Sequence, residues 1–248
     1  MHGLPAEWRI MMRVLSIGNS FSQDATAYVH QIAESAGENV ETVNLYIGGC
    51  SLERHWNNLT LETEKYLKEV NGQSTGEYVT IREMLADGHW DYITLQQVSG
   101  ASHKIATFFP FLTQIVDYLK ENADYGELVM HQTWFYEDKS EMLANQGYEK
   151  HEDMFANIKK SYAEAMERVG IKKMIPSGQV FANLLDDGVG KIHRDHFHAL
   201  IPFGHYVLGL VWYETLTGKS CLEADYVPEG MCAELARAAR EMVHRYLV

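Results

Sequence analysis

Cysteine is scarce: the chain has 3 in 248 residues, at positions 50, 221 and 232. An odd count with no C-x-x-C pair argues against a disulfide framework and fits a reducing compartment. Basic residues are also few, with 21 Lys and Arg against 34 Asp and Glu and a formal net charge of −13. No basic patch is visible, which excludes the phosphate-neutralising surface of a nucleic-acid binder. The same imbalance argues against docking on an anionic membrane. Apolar runs are short, and none reaches the roughly 18 residues that a membrane span needs. The opening stretch, MHGLPAEWRIMM, has no apolar core of signal-peptide length. Repeats, low-complexity tracts and the metalloprotease signature H-E-x-x-H are absent too. The expectation is a cytoplasmic globular protein, with residues 1–11 as a tail and 12–248 as a single domain.

What is present suits a core. Hydrophobic residues make up 46% of the chain and charged residues 22%. Short runs rich in apolar and β-branched residues alternate with longer stretches of helical spacing. Strands are expected at 13–17, 40–47, 90–95, 126–132 and 172–176. Helices are expected at 25–37, over at least part of 51–70, at 103–123 with a bend or start near Pro110, at 152–170, at about 199–215 and at 228–246. Strands spaced this way, with helices between them, form right-handed βαβ units and a parallel sheet. The expected fold is a three-layer α/β/α sandwich with a five-stranded parallel sheet, flavodoxin-like. In such sheets the functional site lies beyond the carboxyl ends of the strands.

The residues that follow each expected strand are polar or glycine. They are Gly18-Asn19-Ser20-Phe21-Ser22, Gly48-Gly49-Cys50-Ser51, Gln96-Gln97-Val98-Ser99, Gln132-Thr133-Trp134 and Ser177-Gly178-Gln179, joined by HRDHFH at 193–198. Acyl transfer needs a nucleophile, a base beside it, an orienting acid and oxyanion donors. Ser20, at a strand-to-helix turn, is the candidate nucleophile. Asp195 and His198 are spaced so that a turn places them on one side, where the carboxylate can hold Nδ1–H and leave Nε2 for the serine. The backbone N–H groups of Ser20 and Gly49, with a side-chain amide from Gln96 or Gln97, are the candidate oxyanion donors. Trp134 and Gln179 are candidate substrate contacts, and Tyr136 joins Trp134 as an aromatic face for a sugar ring or as packing.

Taken block by block, IGNSFS, IGGCS, DYITLQQVS and RDHFH resemble the SGNH (GDSL-like) hydrolase superfamily, over residues 12–217. The best resemblance is to a bacterial branch of it, related to carbohydrate O-acetylesterases. Asn19 stands where an aspartate is commoner, and a glutamine stands near the usual block-three asparagine. The resemblance implies a serine esterase that removes small acyl groups, acetyl above all, from a carbohydrate, with Ser20 as nucleophile and Asp195 and His198 as acid and base. No metal or organic cofactor is implied. The partner expected is a small-molecule ester, with neither nucleic acid nor membrane.

Blander and rival readings stand beside this one. A lone serine at such a turn is normally a cap, and Ser22 is the natural helix cap here. His193 and His196 read as loop residues, Cys50 as a small buried side chain, and Phe108, Phe109 and Phe111 as core. The dense HRDHFH cluster could instead bind zinc in a metal-dependent hydrolase, although no second ligand cluster matches it. A non-catalytic carbohydrate-binding protein on the same fold is the other alternative. The polar segment 135–152 is either a lid or a loop.

Overall fold

Apolar runs become strands in this chain because helices cover both faces of the sheet. The computed structural model describes residues 11–62 and 65–248, so the tail expected over 1–11 lies, apart from Met11, outside the described residues. The strands are β1 (Met12–Gly18), β2 (Val40–Tyr46), β3 (Tyr66–Val70), β4 (Gln73–Val79), β5 (Trp90–Leu95), β6 (Tyr125–His131) and β7 (Lys173–Ile175). They form one sheet in the order β4-β3-β2-β1-β5-β6-β7. The five expected strands pair in parallel, with β1 central between β2 and β5. Val14, Leu15, Ile17, Val43, Leu45, Ile93, Leu95, Val129 and Met130 are all buried, as expected for strands with no solvent face.

Two strands add to the expected five. Helix α3 covers Leu52–Leu61, which is the part of 51–70 that is helical among the described residues. Beyond it β3 and β4 form an antiparallel hairpin on the outer edge of β2. Its turn is Asn71-Gly72, with φ of 52° and 76°, the left-handed pair that a tight hairpin turn requires.

The remaining helices are α1 (Ser20–Thr26), α2 (Val29–Ser35), α4 (Ile81–Leu85), α5 (Phe111–Asn122), α6 (Glu141–Asn145), α7 (His151–Val169), α8 (Ser177–Asp186), α9 (Phe203–Thr217) and α10 (Ala233–Leu247). The helix expected over 25–37 is thus two short helices, and the first begins five residues sooner. α9 packs against α1, α2, α8 and α10, while α5 packs against α3 and α7. These two groups are the outer layers of the sandwich. α8 follows β7 directly, where only a polar loop was expected. The segment 135–152 contains α6 and the start of α7. Among the described residues, no helix is long and apolar enough to cross a membrane.

Candidate active site

Strand β1 ends at Gly18 and the chain turns at once into α1, which makes Ser20 the first helical residue and Asn19 its N-cap. Asn19 Oδ1 accepts the Phe21 N–H at 3.0 Å, and Ser22 Oγ accepts the Asn19 N–H at 2.9 Å. This reciprocal capping satisfies two helix-start donors and is worth about 1 kcal/mol per cap. The cap proper is therefore Asn19, with Ser22 closing the box. The turn tolerates no side chain at position 18, because a Cβ there would lie 1.9 Å from Ser22 Oγ. With capping assigned to its neighbours, the Ser20 hydroxyl is left for another partner.

That partner comes from residues 193–199, a tight loop closed by a bridge between His193 and Ala199. Asp195 Oδ1 accepts the His198 N–H at 2.9 Å, and Arg194 N–H donates to His198 O at 2.9 Å. His196, with φ of 76°, lets the chain reverse between the two. Asp195 Oδ2 lies 2.8 Å from His198 Nδ1, and His198 Nε2 lies 2.9 Å from Ser20 Oγ. With Nδ1–H on the carboxylate, Nε2 offers its lone pair to the serine hydroxyl. Burial pushes the Asp195 carboxyl up, but the His198 hydrogen bonds and the Arg194 charge outweigh it and hold the group below its ordinary value. Rings flank the imidazole: Phe197 lies 3.9 Å from it, centroid to centroid, and Phe21 stacks on Trp134 at 4.0 Å.

A buried polar chain ties the strand ends together behind Ser20. Asn19 Nδ2 donates to Cys50 O at 3.0 Å, which fastens the Gly49–Cys50 loop to the serine turn. The amide can face only one way, because the Phe21 N–H must donate and the Cys50 carbonyl must accept. The rest follows from that choice. Gln96 donates from Nε2 to Asn19 Oδ1 at 2.7 Å, so its Oε1 accepts from His131 Nδ1 at 2.5 Å. His131 Nε2 then accepts from Ser177 Oγ at 3.0 Å. Burial pushes His131 down to about 3, so the ring stays neutral, as this chain of bonds requires.

The other expected site residues fall in different places. Gln97 Oε1 accepts from the Leu52 N–H at 3.0 Å and the Val98 N–H at 2.8 Å, and its Nε2 donates to Thr107 O at 2.8 Å. Gln96 and Gln97 are both buried. Their amides tie loops together, which corrects their reading as oxyanion donors. The Ser20 and Gly49 backbone N–H groups make no hydrogen bond to protein acceptors among the described residues. Trp134 is 0% exposed and donates from Nε1 to Phe197 O at 2.6 Å, so it supports the 193–199 loop from beneath and is closed to a sugar ring in this structure. Tyr136 is buried as well, its hydroxyl 3.0 Å from Ser99 Oγ. Gln179 Nε2 donates to Asn183 Oδ1 at 2.8 Å within α8, and its side chain bonds none of Ser20, Asp195 and His198. The reading from sequence missed Asp24, which bonds the 193–199 loop, and the rings of Phe21 and Phe197.

The HRDHFH side chains diverge. His193 donates from Nε2 to Phe135 O at 3.1 Å, and burial pushes it down to about 4. His196 Nδ1 pairs with Glu137 at 2.7 Å, while Asp195 and His198 hold each other. Among the described residues, the ligand-type atoms that converge within 4.8 Å belong to Asp138, His151 and Glu152. Asp138 already accepts the His151 N–H at 2.7 Å at the start of α7.

A mostly parallel seven-stranded sandwich with these polar loops at its strand ends has the fold of the SGNH hydrolases. A Slackia heliotrinireducens protein provisionally named an SGNH hydrolase shares it, with a TM-score of 0.59, 21% identity, and coverage of 84% of this chain and 100% of that one. Axe2, an acetylxylan esterase from Geobacillus stearothermophilus, shares it with a TM-score of 0.55, 11% identity, and coverage of 83% and 94%. Within this fold the chain belongs to DUF4886, a domain family of unknown function, matched over residues 13–246. A DUF4886 family protein from Bacteroides uniformis is 34% identical, with a TM-score of 0.87 and coverage of 96% of this chain and 95% of that one. No curated protein matches the sequence.

Proposed function

We propose that the protein is a serine esterase that hydrolyses small acyl esters, acetyl groups on a carbohydrate first among them. One observation carries the reading. Ser20 Oγ, His198 and Asp195 form a continuous hydrogen-bonded chain, 2.9 Å and 2.8 Å across its two contacts. In the first half-reaction His198 Nε2 takes the Ser20 proton as Oγ attacks the ester carbonyl. Asp195, ionised at neutral pH, stabilises the imidazolium that forms. The Ser20 and Gly49 N–H groups are the oxyanion donors, since neither donates to a protein acceptor among the described residues, and the Asn19–Cys50 bond holds their two loops together. His198 then protonates the departing alcohol. In the second half-reaction it takes a proton from water, which attacks the acyl carbonyl, and returns it to Ser20 Oγ as the acyl–oxygen bond breaks and the acid leaves.

The choice of substrate draws on relatives of the fold. Axe2 is named for acetylxylan and acetyl-xylooligosaccharides, and one of its structures is a serine-to-alanine variant described as a catalytic mutant. The divergence of the HRDHFH side chains favours this reading over the zinc one. The test is p-nitrophenyl acetate hydrolysis by wild type and Ser20→Ala, each with and without EDTA. Loss of roughly 10³-fold or more in kcat on mutation alone is expected. Wild-type turnover in Ser20→Ala would overturn the proposal, and loss to EDTA with Ser20→Ala still active would return the metal reading.

A further inference from the structure

α1 carries a second residue of interest besides its serine, the acid Asp24. We infer that Asp24 is a positioning residue that sets the reach between Ser20 and His198, an inference that rests on the esterase reading above. Asp24 lies four positions after Ser20, one α-helical turn along. Its carboxylate is 1% exposed and fully engaged. Oδ2 accepts the Ala199 N–H at 2.8 Å, and Oδ1 lies 3.0 Å from both Arg194 Nη1 and His205 Nε2. Arg194 Nη1 also donates to Ala199 O at 2.7 Å.

The base loop is therefore gripped by the helix that carries the nucleophile. Ser20 meets the His198 side chain, and one turn later Asp24 holds the backbone of the next residue, Ala199. Other anchors of the loop, such as the Trp134–Phe197 bond and the Glu137 N–H to His196 O bond of 2.7 Å, come from the β6 side. Asp24 alone among these refers the base to the same rigid element as the nucleophile. Burying its charge requires a partner, and Arg194 supplies it from the position next to the triad acid, with Nε 3.9 Å from Asp195 Oδ2. A misplacement of about 1 Å in such a pair costs on the order of 10²-fold in rate.

The experiment compares Asp24→Asn, Arg194→Gln and the double variant with wild type and Ser20→Ala. It reads kcat and KM for p-nitrophenyl acetate per competent site, counted with a fluorophosphonate whose phosphorus Ser20 Oγ attacks, forming an O–P bond as fluoride is released. Each single variant should lose about 30–100-fold in kcat per counted site, with KM within about twofold. The double variant should lose no more than the worse single, because both changes break one link. Wild-type kcat per counted site in the single variants, or losses that multiply, would overturn the inference and leave Asp24 as a fold-stabilising residue. Should Asp24→Asn fail to fold, Arg194→Gln, on a partly exposed loop side chain, decides by the same readout. Wild-type turnover in Ser20→Ala, or a wild type that neither turns over nor labels, defeats the esterase reading itself.

Discussion

Replacing Asn19 by aspartate tests the buried polar chain at its starting point. The two side chains have the same shape, and Oδ1 keeps its bonds from Phe21 N–H and Gln96 Nε2. The change falls on Cys50 O, which receives the Nδ2–H at 3.0 Å and would instead face a bare oxygen. An unpaired buried acceptor costs about 1–3 kcal/mol, and more beside a charge. A proton on the new carboxyl would restore the donor. At pH 7 that proton costs roughly 4 kcal/mol for a group with an ordinary value of about 3.9. The smaller penalty governs, so a loss of about 2–4 kcal/mol is expected near neutrality. Its sign with pH follows from linkage. The folded variant keeps a proton that its unfolded chain gives up, so its stability falls as pH rises. The deficit should be small near pH ~4 and grow by up to about 1.4 kcal/mol per pH unit until the ionised form takes over. Urea unfolding of both proteins between about pH 5 and 9 measures it. Midpoints that coincide at every pH would refute the assigned direction of the Asn19 amide.

Three further outcomes can be checked. Burial pushes His55 and His131 down to about 3, and His103 and His193 down to about 4. The unfolded chain binds these protons below about 6.5 and the folded one does not, so each ring should lower stability by up to about 1.4 kcal/mol per unit as pH falls from there towards 4. A flat unfolding free energy across that window would count against it, and His131→Gln should make the slope shallower. Gly18→Ala drives a methyl group into Ser22 Oγ and breaks the capping box, for an expected loss of about 2–4 kcal/mol by thermal or urea unfolding. Trp134→Phe keeps the ring but removes the donor to Phe197 O, so kcat should fall several-fold with KM held; a rise in KM alone would restore Trp134 as a substrate contact.

The parallel strands were legible because burial on both faces favours short runs dominated by apolar and β-branched residues, as in RVLSI and WDYITL. The edge hairpin was not, since β4 reads QSTGEYV and is exposed along nearly its whole length. Its one usable signal was Asn71-Gly72, a hairpin turn pair that the helical reading of 51–70 obscured. At the site, Asp195 and His198 were legible because their pairing is local. Gln96 and Gln97 were misread because residue type says nothing about which way an amide faces. Trp134 was misread because an aromatic ring beneath a site and one beside it look alike in sequence. Asp24 was invisible for another reason: its partner Arg194 lies 170 positions away, and only the burial of its charge marks it.

Ser20 and His198, which meet at the candidate site, are 178 residues apart in the chain. During synthesis at about 5–20 residues per second, Ser20 is made roughly 9–36 s before His198. Over that interval the growing chain holds a serine without a base and a buried-type aspartate without its arginine. The Ser20–His198–Asp195 chain of hydrogen bonds therefore forms only after residue 198 has been made and the 193–199 loop has closed onto the first helix. A chain that stops short of residue 193 keeps Ser20 but lacks both Asp195 and His198, so under the esterase proposal it would be inert.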